Sequence, residues 1–158
     1  MPSAFNTHNT NPLSSYPQAW ERASKIRLLV LDVDGVLTNG QVWIGADGKE
    51  SLKAFDIQDG LGIKLLEQCG IATAIITGRN SKMVLARCEE LGIKHVHMGV
   101  ENKALALNEV LKALGLQKNE CAVMGDDWPD LAMMKNAGLC IAPAQAHQAV
   151  KECVHLVT

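Results

Sequence analysis

Cysteine pairs at metal-ligand or redox spacing are missing from this chain of 158 residues. Its five cysteines, Cys69, Cys88, Cys121, Cys140 and Cys153, lie scattered in apolar surroundings, with no Cys-x-x-Cys among them. That excludes a zinc ribbon or disulfide framework and points to free thiols in a reducing, cytoplasmic setting. Long apolar runs are missing too, since no stretch approaches the roughly 18 residues of a membrane span. The first residues, MPSAFNTHNTNPLSSYPQ, carry neither a basic cluster nor an apolar core, so no signal peptide is expected there. Nor is there an excess of positive charge. Lys and Arg number 15 against 17 Asp and Glu, a net −2, which excludes the broad basic field of a nucleic-acid binder. What is present, at 47% apolar residues, is enough to bury one domain-sized core.

Residues 1–15 are rich in Asn, Ser, Thr and Pro and are expected to form a loose tail, followed by a short helix in PQAWERASK. From residue 26 a rhythm begins. Strand-like apolar runs fall at 26–33, 71–77, 95–99, 121–125 and 139–142, separated by helical patterns at 59–70, 80–92, 102–115 and 129–138. Gly70, Gly92, Gly115 and Gly138 close those helices. The strands are apolar throughout rather than alternating, which predicts a parallel sheet covered on both faces. Residues 41–55 differ, reading as two short strands about GADGK, a β-hairpin inserted after the first strand. The expected fold class is α/β: a Rossmann-like three-layer fold with a central parallel sheet, an inserted hairpin and no cap domain. The expected division is a tail and short helix over 1–25 and one domain over 26–158.

In such a sheet, ligands bind outside the carboxyl ends of the strands. The first strand ends in Asp32, Asp34 and Gly35; the second in Thr77, Gly78 and Arg79; a later helix begins at ENK with Lys103; the fourth strand ends in GDDWPD, Gly125 to Asp130. Two carboxylates at the end of the most apolar segment repel each other and are costly to bury. A hard cation such as Mg²⁺ between Asp32 and Asp126 offsets that cost and neutralises a phosphate. Asp32 then suits a nucleophile forming an aspartyl-phosphate, and Asp34 an acid that protonates the leaving oxygen and a base that activates water. Thr77 and Lys103 suit stabilisation of the phosphoryl oxygens.

Taken singly, each motif has a plainer reading. D-x-D-G is a common strand-to-loop junction, TGR a helix-start turn, Lys103 a solvated charge, and GDDWPD an N-capping cluster with Asp127 as the cap. An EF-hand loop fails, because its sixth and twelfth positions are Leu37 and Trp43. A phosphorelay receiver shares the residue types but not the chain order. The joint occurrence after successive strands carries the weight.

Together, LDVDGVLT, IITGR, Lys103 and GDDWPD resemble the four motifs of the haloacid dehalogenase-like phosphatase superfamily, over residues 26–158. The resemblance implies Asp32 as nucleophile, Asp34 as acid and base, and Mg²⁺ on the Asp32 carboxylate, the Asp34 carbonyl and Asp126, with Asp127 behind them. The 45 residues from Asp32 to Thr77 and the 26 from Thr77 to Lys103 leave no room for a cap domain, so the chain resembles the capless branch. A capless site is open, and either a large substrate or a neighbouring subunit covers it. The hairpin residues Val42, Trp43 and Ile44 could pair across subunits.

Within that branch, LKAFDIQDGLGIKLL followed by IITGRNSKMVLARCEELGI is closely similar to phosphatases acting on 3-deoxy-D-manno-octulosonate 8-phosphate, an eight-carbon keto-acid sugar of lipopolysaccharide biosynthesis. That similarity implies a homotetramer and substrate contacts at Asp34, Asp56, Ile57, Gln58, Asp59, Gly60, Lys64, Arg79, Arg87 and Lys103. Arg79 and Arg87, eight apart, read as close to one helical face, although a solvated face remains open for Arg87 and Lys64. Family chains commonly continue with a glycine-rich stretch and a helix, whereas this one ends at HLVT, and Gln145 stands where aspartate is common. His147 is expected near the site and His95 in a structural role. A phosphatase for a nine-carbon sialic-acid-type or other sugar phosphate and a non-catalytic regulatory relative are the alternatives.

Overall fold

The computed structural model describes residues 17–158, so the expected loose tail over 1–15 lies outside the described residues. Helix α1 (Pro17–Ala23) leads into β1 (Leu28–Leu31). The hairpin β2 (Trp43–Ile44) and β3 (Glu50–Leu52) follows, then α2 (Ile57–Gln68), β4 (Ala72–Ile76), α3 (Lys82–Leu91) and β5 (His95–His97). The rest is α4 (Lys103–Leu114), β6 (Cys121–Met124), α5 (Leu131–Met134), β7 (Leu139–Ala142), α6 (Gln148–Lys151) and β8 (Leu156–Val157). The main sheet runs β5-β4-β1-β6-β7-β8, with every pairing parallel. The expected α/β fold with a central parallel sheet is the fold observed.

Alternate residues of each strand feed opposite layers. Leu28 and Val30 of β1, with Ala74, Ile76 and Val123, pack beneath α4, α5 and α6 against Leu107, Val110, Met133 and Val150. Leu31, Val33 and Ile75 face the other way, against Ile63 of α2 and Val84, Cys88 and Leu91 of α3. Ala19 of α1 is buried on that same side against Ala122 and Leu139. The short N-terminal helix is therefore docked on the sheet.

Boundaries moved where caps decide them. Helix α2 starts two residues earlier than expected because the Asp56 carboxylate accepts from the Gln58 amide, 2.7 Å away, and caps it. Helix α4 is capped by Asn102, whose side chain accepts from Leu105 at 3.1 Å, which puts Lys103 in the first turn. Gly92 and Gly115 close α3 and α4 in the left-handed conformation, at φ 76° and 66°. The expected helix over 129–138 is shorter: a 3₁₀ turn at Trp128–Asp130 runs into α5, which ends at Met134. Two short elements, α6 and β8, had no counterpart in the sequence reading. The hairpin forms as expected, antiparallel with an irregularity between Trp43 and Ile44.

Candidate active site

Residue pairing across the sheet builds the site. Leu31 of β1 stands beside Met124 of β6, and the Asp32 amide continues the ladder by donating to the Met124 carbonyl at 3.1 Å. The first carboxylate and the GDDWPD segment are thereby adjacent although 94 residues separate Asp32 from Asp126. Thr77 follows β4, the other neighbour of β1, and Lys103 opens α4. Asp32, Asp34, Thr77, Arg79, Lys103, Asp126, Asp127 and Asp130 line one cleft of about 550 Å³.

Inside the cleft the Lys103 ammonium donates to Asp32 Oδ1 at 2.8 Å and to Asp130 Oδ1 at 2.6 Å. All three residues are buried. Asp130 Oδ2 accepts from the amides of Asp126 at 2.9 Å and Asp127 at 3.2 Å, which fixes the turn that carries Asp126. Carboxylate oxygens of Asp32, Asp126 and Asp130 lie within 4.8 Å of one another. Two of these three carboxylates thus share one ammonium, with Asp126 beside them. Burial, then the charge of Asp130, pushes the Asp32 carboxyl above its ordinary value, although Lys103 opposes this. Asp126 is pushed up to about 6 by burial and by Asp130, Asp32 and Asp127. Burial works against the Lys103 charge, yet Asp32 and Asp130 outweigh it and raise its pKa. A cluster of oxygen donors with uncompensated negative charge fits a hard divalent cation.

Asp126 therefore makes the metal-free fold pH-sensitive. Its folded value of about 6 exceeds the ordinary 3.8, so its stabilising contribution is full below 3.8 and is lost as pH rises from there through about 6. In chelator, the melting temperature of the wild type is expected to fall relative to Asp126→Asn by a few degrees between about pH 5 and about pH 7. Parallel melting curves for the two proteins over that range would contradict this, and added Mg²⁺ is expected to close the gap.

Close backbone approach explains two glycines. Gly35 sits at φ 91°, and a β-carbon there would lie 2.0 Å from Asp126 Oδ2. At Gly125 it would lie 2.5 Å from Asp130 Oδ2. The loop after β1 is further tied by Thr38, whose hydroxyl accepts from the Gly35 and Gly40 amides, and by Gln145, whose amide donates to the Gly35 carbonyl at 2.8 Å.

The structure divides the residues singled out from sequence. Asp32, Asp34, Thr77, Arg79, Lys103 and Asp126 share the cleft. Asp127 reaches its rim, but its carboxylate accepts from the Trp128 amide at 2.8 Å, the capping role its motif suggested; Asp130 is the residue packed behind Asp126. Asp56, Ile57, Gln58, Asp59, Gly60, Lys64 and Arg87 lie outside the cleft, around smaller hollows beside α2. There Arg87 donates to the Asp56 carbonyl at 3.0 Å and pairs with Glu90 at 2.8 Å. Gly60 makes room for it, since a β-carbon would lie 2.3 Å from Arg87 Nη2. Arg79 belongs to the loop before α3, not to the face that carries Arg87, because Ser81 sets the start of that helix. His147 does sit beside the site: its amide donates to the Asp126 carbonyl at 2.8 Å and its Nδ1 caps α6. His95 is a strand residue paired with Ala74.

Three charged residues escaped the sequence reading. Asp130 was visible only as the last letter of a capping pattern. Lys53 of the hairpin segment reaches Asp34 and is itself paired with Glu50, and nothing local marks either.

Known proteins are similar to this chain in sequence and in fold. The model of the haloacid dehalogenase-like hydrolase family matches residues 96–158. A 3-deoxy-D-manno-octulosonate 8-phosphate phosphatase of Salmonella typhimurium is 44% identical over 131 residues, 83% of this chain and 69% of its own length. The crystal structure of such a phosphatase from Yersinia pestis superposes with a TM-score of 0.87 at 42% identity, over 89% of this chain and 76% of that one. One from Moraxella catarrhalis, in complex with magnesium, phosphate and KDO, gives a TM-score of 0.85 at 41% identity, over 89% and 80%. With its fold, its cluster of carboxylates and these likenesses in agreement, the chain belongs to the 3-deoxy-D-manno-octulosonate 8-phosphate phosphatase family of haloacid dehalogenase-like hydrolases.

Proposed function

We propose that this protein hydrolyses 3-deoxy-D-manno-octulosonate 8-phosphate to the free keto sugar and phosphate, through an aspartyl-phosphate, in lipopolysaccharide biosynthesis. The observation that carries the reading is the buried Asp32–Lys103–Asp130 arrangement beside Asp126 at the end of β1. Mg²⁺ would be held by the carboxylates of Asp32 and Asp126 and the carbonyl of Asp34; when bound it offsets the charge of the phosphate against the carboxylates.

An Asp32 carboxylate oxygen attacks phosphorus as the bond from phosphorus to the sugar oxygen breaks, and Asp34 gives that oxygen its proton. Asp34, now ionised, takes a proton from water as the water oxygen attacks the phosphorus of the aspartyl-phosphate. Phosphate leaves, Asp32 is restored and Asp34 is again protonated. Lys103, held between Asp32 and Asp130, places positive charge where the phosphoryl oxygens carry negative charge, and the Thr77 hydroxyl donates to them. Arg79, half-exposed at the cleft, suits the phosphate or carboxylate of the substrate.

Asp56 to Gly60, Lys64 and Arg87 would contact the sugar from the hollows beside the cleft, with Asp127 at its rim. Residues 26–158 would form the capless catalytic domain. The exposed hairpin side chains Trp43, Ile44 and Leu52 support assembly as a homotetramer that completes the open site. Among the described residues, no helix is long and apolar enough to cross a membrane. A cytoplasmic location is consistent with the free thiols.

The test is phosphate release from a panel holding the eight-carbon substrate, a nine-carbon sialic-acid-type phosphate and simple hexose phosphates, each with Mg²⁺ and with chelator. The expected result is Mg²⁺-dependent release with a kcat/KM for the eight-carbon compound at least about tenfold above the others. Equal turnover of all would keep the chemistry and remove the substrate, and no release from any would favour a regulatory role.

A further inference from the structure

The hairpin has an inverted arrangement of side chains. Trp43, Ile44 and Leu52 are more than half exposed, while the groups it turns inward are charged. The Lys53 side chain is 1% exposed and that of Glu50 11%. Burying an ammonium is costly unless carboxylates surround it, and packing alone does not call for one. Here the Lys53 ammonium bonds Asp34 Oδ1 and pairs with Glu50 at 3.0 Å. Arg79 closes the ring from the other side, with Nε 3.5 Å from Asp34 Oδ2 and Nη2 3.4 Å from Glu50. The two cations differ in kind. Arg79 makes long contacts and is 47% exposed, so an anionic ligand in the cleft can draw it away. Lys53 is enclosed and stays.

We infer that Lys53, braced by Glu50, is a positioning residue that holds the Asp34 carboxylate at the angle required for proton transfer, so that the inserted hairpin is part of the catalytic apparatus and not only a surface for assembly. The inference rests on the reading of Asp34 as the acid and base. Lys53 itself touches neither phosphate nor leaving group; it acts by fixing one oxygen of Asp34, while the other, which Arg79 contacts, turns to the cleft once a ligand draws Arg79 away.

Leaving groups separate this from a merely structural anchor. Departure of a sugar oxygen needs a proton, whereas p-nitrophenolate leaves without one. For Lys53→Met, kcat/KM on 3-deoxy-D-manno-octulosonate 8-phosphate is expected to fall about 10²-fold, and on p-nitrophenyl phosphate by no more than about threefold. Because water activation is slowed while departure of p-nitrophenolate is not, the variant should accumulate phosphoenzyme during turnover of p-nitrophenyl phosphate, seen in intact-protein mass as one added phosphoryl group. In the background of Asp34→Asn, Lys53→Met should add less than about threefold. Glu50→Gln should show the same pattern at smaller size and serves if Lys53→Met fails to fold, which thermal melting would reveal. Equal losses on both substrates without phosphoenzyme, or losses that multiply with Asp34→Asn, would overturn the inference. If Asp34→Asn itself lacked the leaving-group pattern, the assignment of Asp34 would fail instead.

Discussion

Asp32→Asn is expected to lower phosphate release by at least about 10³-fold while the chain stays folded. The amide is nearly isosteric, and its oxygen can still accept from Lys103, but it cannot form the acyl phosphate. The same substitution should raise stability in chelator, because burial and Asp130 make the Asp32 charge unfavourable in the metal-free cluster. Activity and stability thus move in opposite directions. Steady-state assays beside melting curves with chelator read both. Residual activity above about 1% of wild type, after excluding deamidated protein by mass, would move the nucleophile elsewhere.

Lys103→Met is the second large effect and has the opposite sign for stability. Lys103 is buried between Asp32 and Asp130, and removing it leaves three neighbouring carboxylates without an ammonium. Deleting one partner of a buried pair costs about 3–5 kcal/mol, so a fall in melting temperature on the order of 10 °C is expected in chelator. Asp130→Asn in the same chain should recover part of it, since it removes one of the charges left unpaired. With Mg²⁺ present, turnover should still be about 10³-fold below wild type, because no cation then faces the phosphoryl oxygens from α4. Unchanged melting would mean that Lys103 does not neutralise the cluster.

How much of this was legible in the sequence follows from the range over which each signal acts. Apolar runs such as LLVL and ATAII, bounded by glycine and charge, announce buried parallel strands locally, and the cleft residues follow because parallel strands all end at the same edge. Short elements escape. The two residues of β8 and the four of α6 are too few for a period to register, and only the neighbouring strand and core around Val150 hold them in place. Asp130 was hidden by its own motif, since D-W-P-D satisfies a cap and gives no hint that its last carboxylate also reaches Lys103, 27 residues away. Lys53 had no signal at all. Its partner Asp34 is 19 residues distant across a hairpin whose letters read as an ordinary strand end. The helix face expected to join Arg79 with Arg87 failed for a local reason, the extended backbone of Ser81 between them.

The distance between the first motif and the fourth has a ruler. Asp32 and Asp126 leave the ends of β1 and β6, neighbours in one ladder, with no β-carbon at Gly35 to spread them apart. Their separation therefore starts from the spacing of hydrogen-bonded strands, about 4.8 Å, and is completed by the turn that Asp130 holds after β6. Repacking of the helical layers leaves that dimension untouched so long as the central ladder survives. The gauge of the site is written in that ladder and its adjoining turn, and drift in the surrounding core can proceed without recalibrating it.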